Sequence, residues 1–286
     1  MTNYQVYTVD AFTKTIGQGN RAGVVFLDEA LDDKTMQSLA NRLNYPETAF
    51  VLKSDTSLYQ YEIRYFTPLI EVPLCGHATI AAFYTLAKIN KLSPQSIKFK
   101  TKAGILEADI TYKNGDYLIA MCQNNILVDE PLDNLTINKI LEALKLDPKY
   151  IAYHLPIASA ACGNPKIMLP ITSYDVLLDL MPDFNTLKQI SSDTNTTGYY
   201  LFYLDGNHVY GRMFAPSSGN NEDITTGVAN AALAAYLVKY ANFNDDFTLN
   251  VIQGNKTRKG NMQVSVSFVD NVIHKIKVIG TAIIDN

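Results

Sequence analysis

Cysteine and histidine are scarce in this chain: three and four among 286 residues. Cys75, Cys122 and Cys162 are odd in number and form no Cys-x-x-Cys pair, which argues against a disulfide framework and against a zinc site. The histidines are far apart, so a His-rich metal centre is not expected either. Charge is also sparse, at 18%, with a net value of −4. No basic stripe exists; the densest patch, Lys256 to Lys259, is short. A nucleic-acid partner is therefore not expected. No apolar stretch approaches the ~20 residues of a membrane span. The segment Met1 to Asp10 lacks a basic start and a hydrophobic signal core, so the expected location is cytoplasmic. What is abundant is apolar residues, at 47%. Such a chain can bury a sizeable core, as two domains or one large one at roughly 100–200 residues each.

Internal similarity chooses two. Arg64-Tyr-Phe-Thr-Pro68 is followed by Glu71, Gly76 and a helix-like stretch. Arg212-Met-Phe-Ala-Pro216 is followed by Glu222, Gly227 and another. Arg-x-Phe-x-Pro recurs, and Glu precedes Gly by five positions both times. The expected halves are residues 1–124 and 125–286, with the last strand free to return to the first half.

Strands are expected where β-branched and aromatic residues cluster: Gln5–Asp10, Gly23–Leu27, Thr48–Leu52 and Tyr61–Phe66, then Gly198–Tyr203, His208–Phe214 and Met262–Phe268. Amphipathic helices are expected over Asp33–Leu43 and Asn134–Leu144. Ala78–Ala87 and Ala229–Val238 are apolar on nearly every face, as buried helices are. Each half is thus read as a curved sheet wrapped around one central helix. Both central helices begin with Gly and small residues, where bare N–H groups and the positive dipole end can hold an anion.

Chemistry-bearing residues cluster at those starts. His77 falls in the first turn of its helix and reads either as a structural residue or, because the dipole there disfavours a proton on the imidazole, as a neutral His that donates or relays a proton. Cys75 is either a small buried hydrophobe or a thiol activated by the helix start. Glu47 precedes a strongly apolar strand and reads either as a surface residue or, if buried there, as a carboxyl whose pKa rises to a value suited to proton transfer. Asp223 reads as a helix cap or as a second acid–base group. Gly19-Asn20, Gly104 and Gly254 read as turns.

Taken together, Val9-Asp-Ala-Phe12, Gly19-Asn20, Glu47-Thr-Ala-Phe-Val51, Arg64–Pro68 and Glu71-Val-Pro-Leu-Cys-Gly-His-Ala-Thr79 resemble the phenazine-biosynthesis PhzF-like isomerases. Arg212–Pro216, Glu222-Asp223, Thr226-Gly227 and Gln253-Gly254 match in order. The resemblance implies an α+β fold of the diaminopimelate-epimerase type: two pseudo-symmetric halves, each a curved sheet or barrel around a buried helix, with the site between them. It also implies a cofactor-free, metal-free, homodimeric isomerase that moves a proton within a small carboxylic acid. Residue by residue, Glu47 matches the family's general acid–base, and His77 and Asp223 match its polar helpers. Asn20, Gly76, Ala78, Thr226, Gly227 and Val228 match substrate-binding positions. Four residues depart from the family pattern: Pro46 for Ser, Ile224 for Pro, Val228 for Ser, and Arg258-Lys259 for Arg-Pro. Losing two hydroxyls removes hydrogen-bond donors worth roughly 1.5–3 kcal/mol each to a charged group.

These departures motivate an alternative, a ligand-binding or interaction protein on the same scaffold. A further alternative, a two-thiol racemase, needs a Cys at each helix start. The repeat aligns Thr226 with Cys75, which argues against it.

Overall fold

A computed structural model describes residues 4–285; Met1 to Asn3, part of the N-terminal segment read above, and Asn286 lie outside the described residues. The chain divides into two units, one running to Cys122 and taking back the residues from Ile279 onward, the other running from Gln123 to Val278.

The first unit is built from β1 (Val6–Ala11), β2 (Asn20–Leu27), α1 (Asp33–Leu43), β3 (Glu47–Lys53), β4 (Tyr61–Phe66), β5 (Glu71–Val72), α2 (Gly76–Asn90), β6 (Gln95–Thr101), β7 (Gly104–Lys113) and β8 (Asp116–Gln123). Local chemistry sets several boundaries. Asp32 accepts the Thr35 N–H at 2.9 Å to start α1, and Asn44 ends it in the left-handed region. Gly19 has φ +63°, and a Cβ there would collide with the Ala11 carbonyl, so the β1–β2 turn requires glycine. Pairing is antiparallel except for β2–β3 and β4–β6, which run parallel. The sheet closes over α2, whose residues Ala78 to Ala87 are all buried. A helix with no polar face has no stable place but inside. α1 lies on the sheet's other face, packing Met36, Leu39 and Ala40 against Val25, Phe50 and Phe66.

The second unit repeats the plan: β9 (Ile126–Pro131), α3 (Asn134–Leu144), β10 (Ala158–Cys162), β11 (Lys166–Pro170), α4 (Tyr174–Asp179), α5 (Phe184–Asp193), β12 (Tyr199–Asp205), β13 (His208–Ala215), β14 (Asn220–Asp223), α6 (Gly227–Tyr240), β15 (Phe247–Gly254), β16 (Lys259–Val269) and β17 (Val272–Gly280). Again two pairs are parallel, β11–β12 and β13–β15. α6 is the enclosed helix, buried from Ala229 to Leu237. α3 and α5 cover the outer face, with Ile140, Leu144, Leu187 and Ile190 against Ile167, Leu169 and Leu201. The last strand, β18 (Ala282–Ile284), pairs with β1 in the first unit. Both units are therefore sheets wrapped around one central helix, the α+β architecture read from the duplication. Among the described residues no helix is long and apolar enough to cross a membrane.

Candidate active site

The repeated Arg-x-Phe-x-Pro segments have a structural task. In the first unit Arg64 grips Glu71 with two hydrogen bonds of 2.7 and 2.6 Å. In the second, Arg212 grips Glu222 at 2.8 and 3.0 Å. Each fork ties β4 or β13 to the short strand that leads into the central helix, which sets where the helix begins.

At the start of α2 three side chains meet. Cys75 is the N-cap, without a side-chain capping bond, and His77 sits two residues on. Glu47, the first residue of β3, reaches His77 Nε2 with Oε2 at 3.1 Å. The Cys75 sulfur lies 3.5 Å from His77 Nδ1 and 3.8 Å from Nε2. His77 is 11% exposed at its side chain and Glu47 22%, so the pair is mostly out of water while keeping one open edge. Beside them, a Cβ placed on Gly76 would meet no atom within 4 Å, which leaves room next to the first helix N–H groups.

The electrostatics correct two expectations. Burial pushes the Glu47 carboxyl up, but the His77 charge and hydrogen bonds from His77 and Cys75 outweigh it, leaving the group below its ordinary value. Burial disfavours the charged imidazolium, yet the Glu47 carboxylate at 3.1 Å holds the His77 pKa above the usual one. Burial and the neighbouring Glu47 push the Cys75 thiol up. The resting site is thus a carboxylate facing an imidazolium beside a neutral thiol, not a protonated Glu and a neutral His. The helix dipole acts on His77 as expected, but a carboxylate within hydrogen-bond reach is the larger field.

The other predicted residues fall as follows. Asn20 opens β2, 5% exposed, two residues before Ala22, which is the register partner of Glu47. Ala78 is buried in the first turn of α2. Asp223, Thr226, Gly227 and Val228 belong to the second unit, so they are grouped with one another. Asp223 is not the cap of α6; it ends β14 and accepts from the Thr226 hydroxyl at 2.5 Å, while Thr226 is the N-cap, as Cys75 is of α2. Gln253, fully buried, pins this start. Its Oε1 accepts from the Thr226 N–H at 3.0 Å and from Asn230 at 2.7 Å, and its Nε2 donates to the Asp223 carbonyl at 2.9 Å. Asn230 also receives the Tyr200 hydroxyl at 2.5 Å. In the first unit Thr79, four residues past the cap as Asn230 is, also meets a tyrosine hydroxyl, that of Tyr65 at 2.6 Å, but from β4, the counterpart of β13 and not of β12.

One residue escaped the sequence reading. Lys166 heads β11 and is only 3% exposed. Its ammonium donates to the Asn164 carbonyl at 2.6 Å and feels Cys162 and Asp223 electrostatically. The registers identify its position. Thr48 pairs with Phe66, and Tyr199 with Phe214, the two phenylalanines of the repeated motif. Glu47 therefore corresponds to Gly198, and its partner Ala22 to Lys166. A Cβ at Gly198 would strike the Phe214 carbonyl, so no side chain fits where the first unit carries Glu47. The second unit places an ammonium from the adjacent strand instead. The only trace in the sequence is a lone Lys opening an otherwise apolar strand.

Burial pushes the Lys166 ammonium down to about 8, against the raising effects of Cys162 and Asp223. Below that pH the folded state bears the full penalty of a buried charge. The penalty fades as pH climbs from about 8 toward the unfolded value of about 10.4. Lys166→Met is accordingly expected to stabilise the protein by up to roughly 3 kcal/mol at neutral pH. Urea denaturation at pH 7 and at about pH 10 checks this: the gain should shrink at the higher pH.

A family model described as "Phenazine biosynthesis-like protein" matches residues 9–285. An uncharacterized isomerase of Clostridium acetobutylicum is 38% identical over 289 residues, covering 98% of this chain and 96% of the relative. The uncharacterized isomerase YddE of Escherichia coli K12 is 39% identical over 286 residues, again covering 98% and 96%. The crystal structure of a Bacillus anthracis phenazine biosynthesis protein of the PhzF family superposes with a TM-score of 0.88 at 29% identity, covering 100% of this chain and 98% of that one. A probable proline racemase from Agrobacterium radiobacter shares the fold alone, with a TM-score of 0.66 at 11% identity, covering 99% and 92%.

Proposed function

Because this chain belongs to the phenazine biosynthesis-like protein family, we propose that it is a cofactor-independent isomerase moving a proton within a small carboxylic acid, with Glu47 as general base and then acid. The observation that carries the reading is the Glu47–His77 contact of 3.1 Å at the open N-terminus of α2. The names of its curated relatives, uncharacterized isomerases, supply the class.

Glu47 starts ionised and accepts a proton from an activated carbon of the substrate. Its low basicity places the burden on stabilising the carbanion. N–H groups without intrahelical partners at the start of α2, beside the open space at Gly76, supply positive potential for that charge, the kind of preorganised electrostatics that dominates such steps. The protonated Glu47 then returns the proton to another carbon, a 1,3-shift if the same face is used. His77 holds the carboxylate ionised and in place between steps. The second unit offers a helix start of the same kind at Thr226, Gly227 and Val228, with the Asp223 carboxylate beside it; these and Asn20 are the proposed substrate contacts. Thr226 at the cap of α6 disfavours a two-thiol racemase, since threonine is no base at neutral pH without an activator.

The test is a thermal-shift screen of small amino-acid-like and cyclic carboxylic acids, followed by incubation of each hit in deuterium oxide. A one-base isomerase returns part of the substrate's own hydrogen to the product, so isomerised product carries less than one solvent deuterium per turnover. A two-base racemase inverts its centre with full deuteration and loses turnover in Cys75→Ala. An acid that binds tightly and exchanges nothing would favour the ligand-binding reading.

A further inference from the structure

We propose that Glu47, Cys75 and His77 together form a binding site for a thiophilic divalent cation, with Zn²⁺ the best match. One donor atom from each residue lies within 4.8 Å of the others. The Glu47 oxygen is 3.1 Å from His77 Nε2, and the Cys75 sulfur 3.5 and 3.8 Å from the two ring nitrogens. Around tetrahedral zinc, with Zn–S near 2.3 Å and Zn–N and Zn–O near 2.0–2.1 Å, neighbouring donors stand roughly 3.3–3.6 Å apart. The oxygen–nitrogen and sulfur–nitrogen separations already lie close to those edges, the third stays within 4.8 Å, and a turn of the His77 ring aims a nitrogen at the centre.

The donor set selects the metal. Thiolate, imidazole and carboxylate suit zinc, whereas Mg²⁺ and Ca²⁺ take oxygen ligands. Binding releases the Cys75 thiol proton and the His77 imidazolium proton to solvent. One thiolate and one carboxylate then balance the two positive charges, so the loaded site, like the resting one, carries no net charge. Cys75 and His77 are held two residues apart by the start of α2, and Glu47 by the head of β3. Little ordering is left for the metal to impose. Scattered histidines argued against a His-rich centre, but this site needs only one, brought to a cysteine by the helix and to a glutamate by the sheet. Three protein donors leave a fourth position for water. Occupancy also withdraws the Glu47 carboxylate from substrate, so the cation acts as a reversible inhibitor; that consequence rests on the proton-transfer reading, whereas binding does not.

The experiment titrates the full-length protein with Co²⁺ as a spectroscopic stand-in. Wild type is expected to show a near-ultraviolet sulfur-to-cobalt charge-transfer band together with the intense visible bands of a tetrahedral site, all bleached by Zn²⁺. Cys75→Ser should lose the charge-transfer band, and Cys122→Ser should keep it. Glu47→Gln should weaken Zn²⁺ binding at least about tenfold in competition with a chromophoric chelator. No band in wild type, a band surviving Cys75→Ser, or unchanged zinc affinity in Glu47→Gln overturns the site. Bands accompanied by undiminished deuterium exchange overturn the inhibition and leave the site standing.

Discussion

Glu47→Gln is expected to lower the rate of proton exchange into substrate by about 10³-fold or more, roughly 4 kcal/mol of barrier. Glutamine keeps the size of the side chain and a polar contact to His77, so the fold should survive and the loss should fall on turnover. Retention of exchange in this variant would end the proposal of a Glu47 base. The charge pattern adds a pH signature. Because His77 holds Glu47 below the ordinary carboxylate value, and Glu47 holds His77 above the ordinary imidazole value, the resting pair persists across the neutral range. The rate kcat/KM should be flat from about pH 5 to about pH 7, with its acid limb below that window. His77→Gln removes the partner that opposes burial. Glu47 then becomes a carboxyl raised by desolvation, and the acid limb should move upward. An acid limb that stays in place would show that His77 does not set the basicity of Glu47.

The second large effect is on stability. Arg212→Met is expected to destabilise the protein by about 3–5 kcal/mol, because it leaves three backbone carbonyls at the end of α4 without their donor and removes the fork on the half-buried Glu222. Arg212 is 6% exposed and, beyond its fork with Glu222, donates to the carbonyls of Leu177, Leu178 and Leu180 at 3.0, 3.3 and 3.0 Å. Those carbonyls end α4, so one guanidinium caps a helix and anchors β14 at once. Arg64→Met should cost only about 1–2 kcal/mol. Its side chain is 23% exposed, its second partner Asp33 is 78% exposed, and Lys102 stays beside Glu71 when the arginine is gone. Denaturant unfolding of both variants decides the point. Equal losses would mean that the shared motif, not burial, sets the energy.

Which parts were legible follows from where the signal resides. Asp33–Leu43 and Asn134–Leu144 were read to the residue because an aspartate stands just before each and a periodic apolar face runs between the ends. Both central helices were visible because nothing but an interior suits such a surface. The duplication was visible because an Arg–Glu fork needs the same residues at similar spacing in each copy. By contrast, the charge state of His77 depends on Glu47, thirty positions earlier in the chain, brought alongside by a strand register that no local pattern states. Lys166 was invisible for the same reason: a lysine ahead of Ile-Met-Leu reads as a surface residue until tertiary packing closes over it. Asp223 was ambiguous until β14 ended on it and left the cap to Thr226.

The exchange of Glu47 and Ala22 for Gly198 and Lys166 also bears on how far the two copies can be interchanged. Restoring a carboxylate to the second copy is not one mutation away. Gly198→Glu meets the Phe214 carbonyl, and relieving that contact requires moving β13, which the Arg212 fork holds. The two copies therefore differ in polarity at this position, an acid in one and a buried ammonium in the other, and the backbone around Gly198 holds that difference in place.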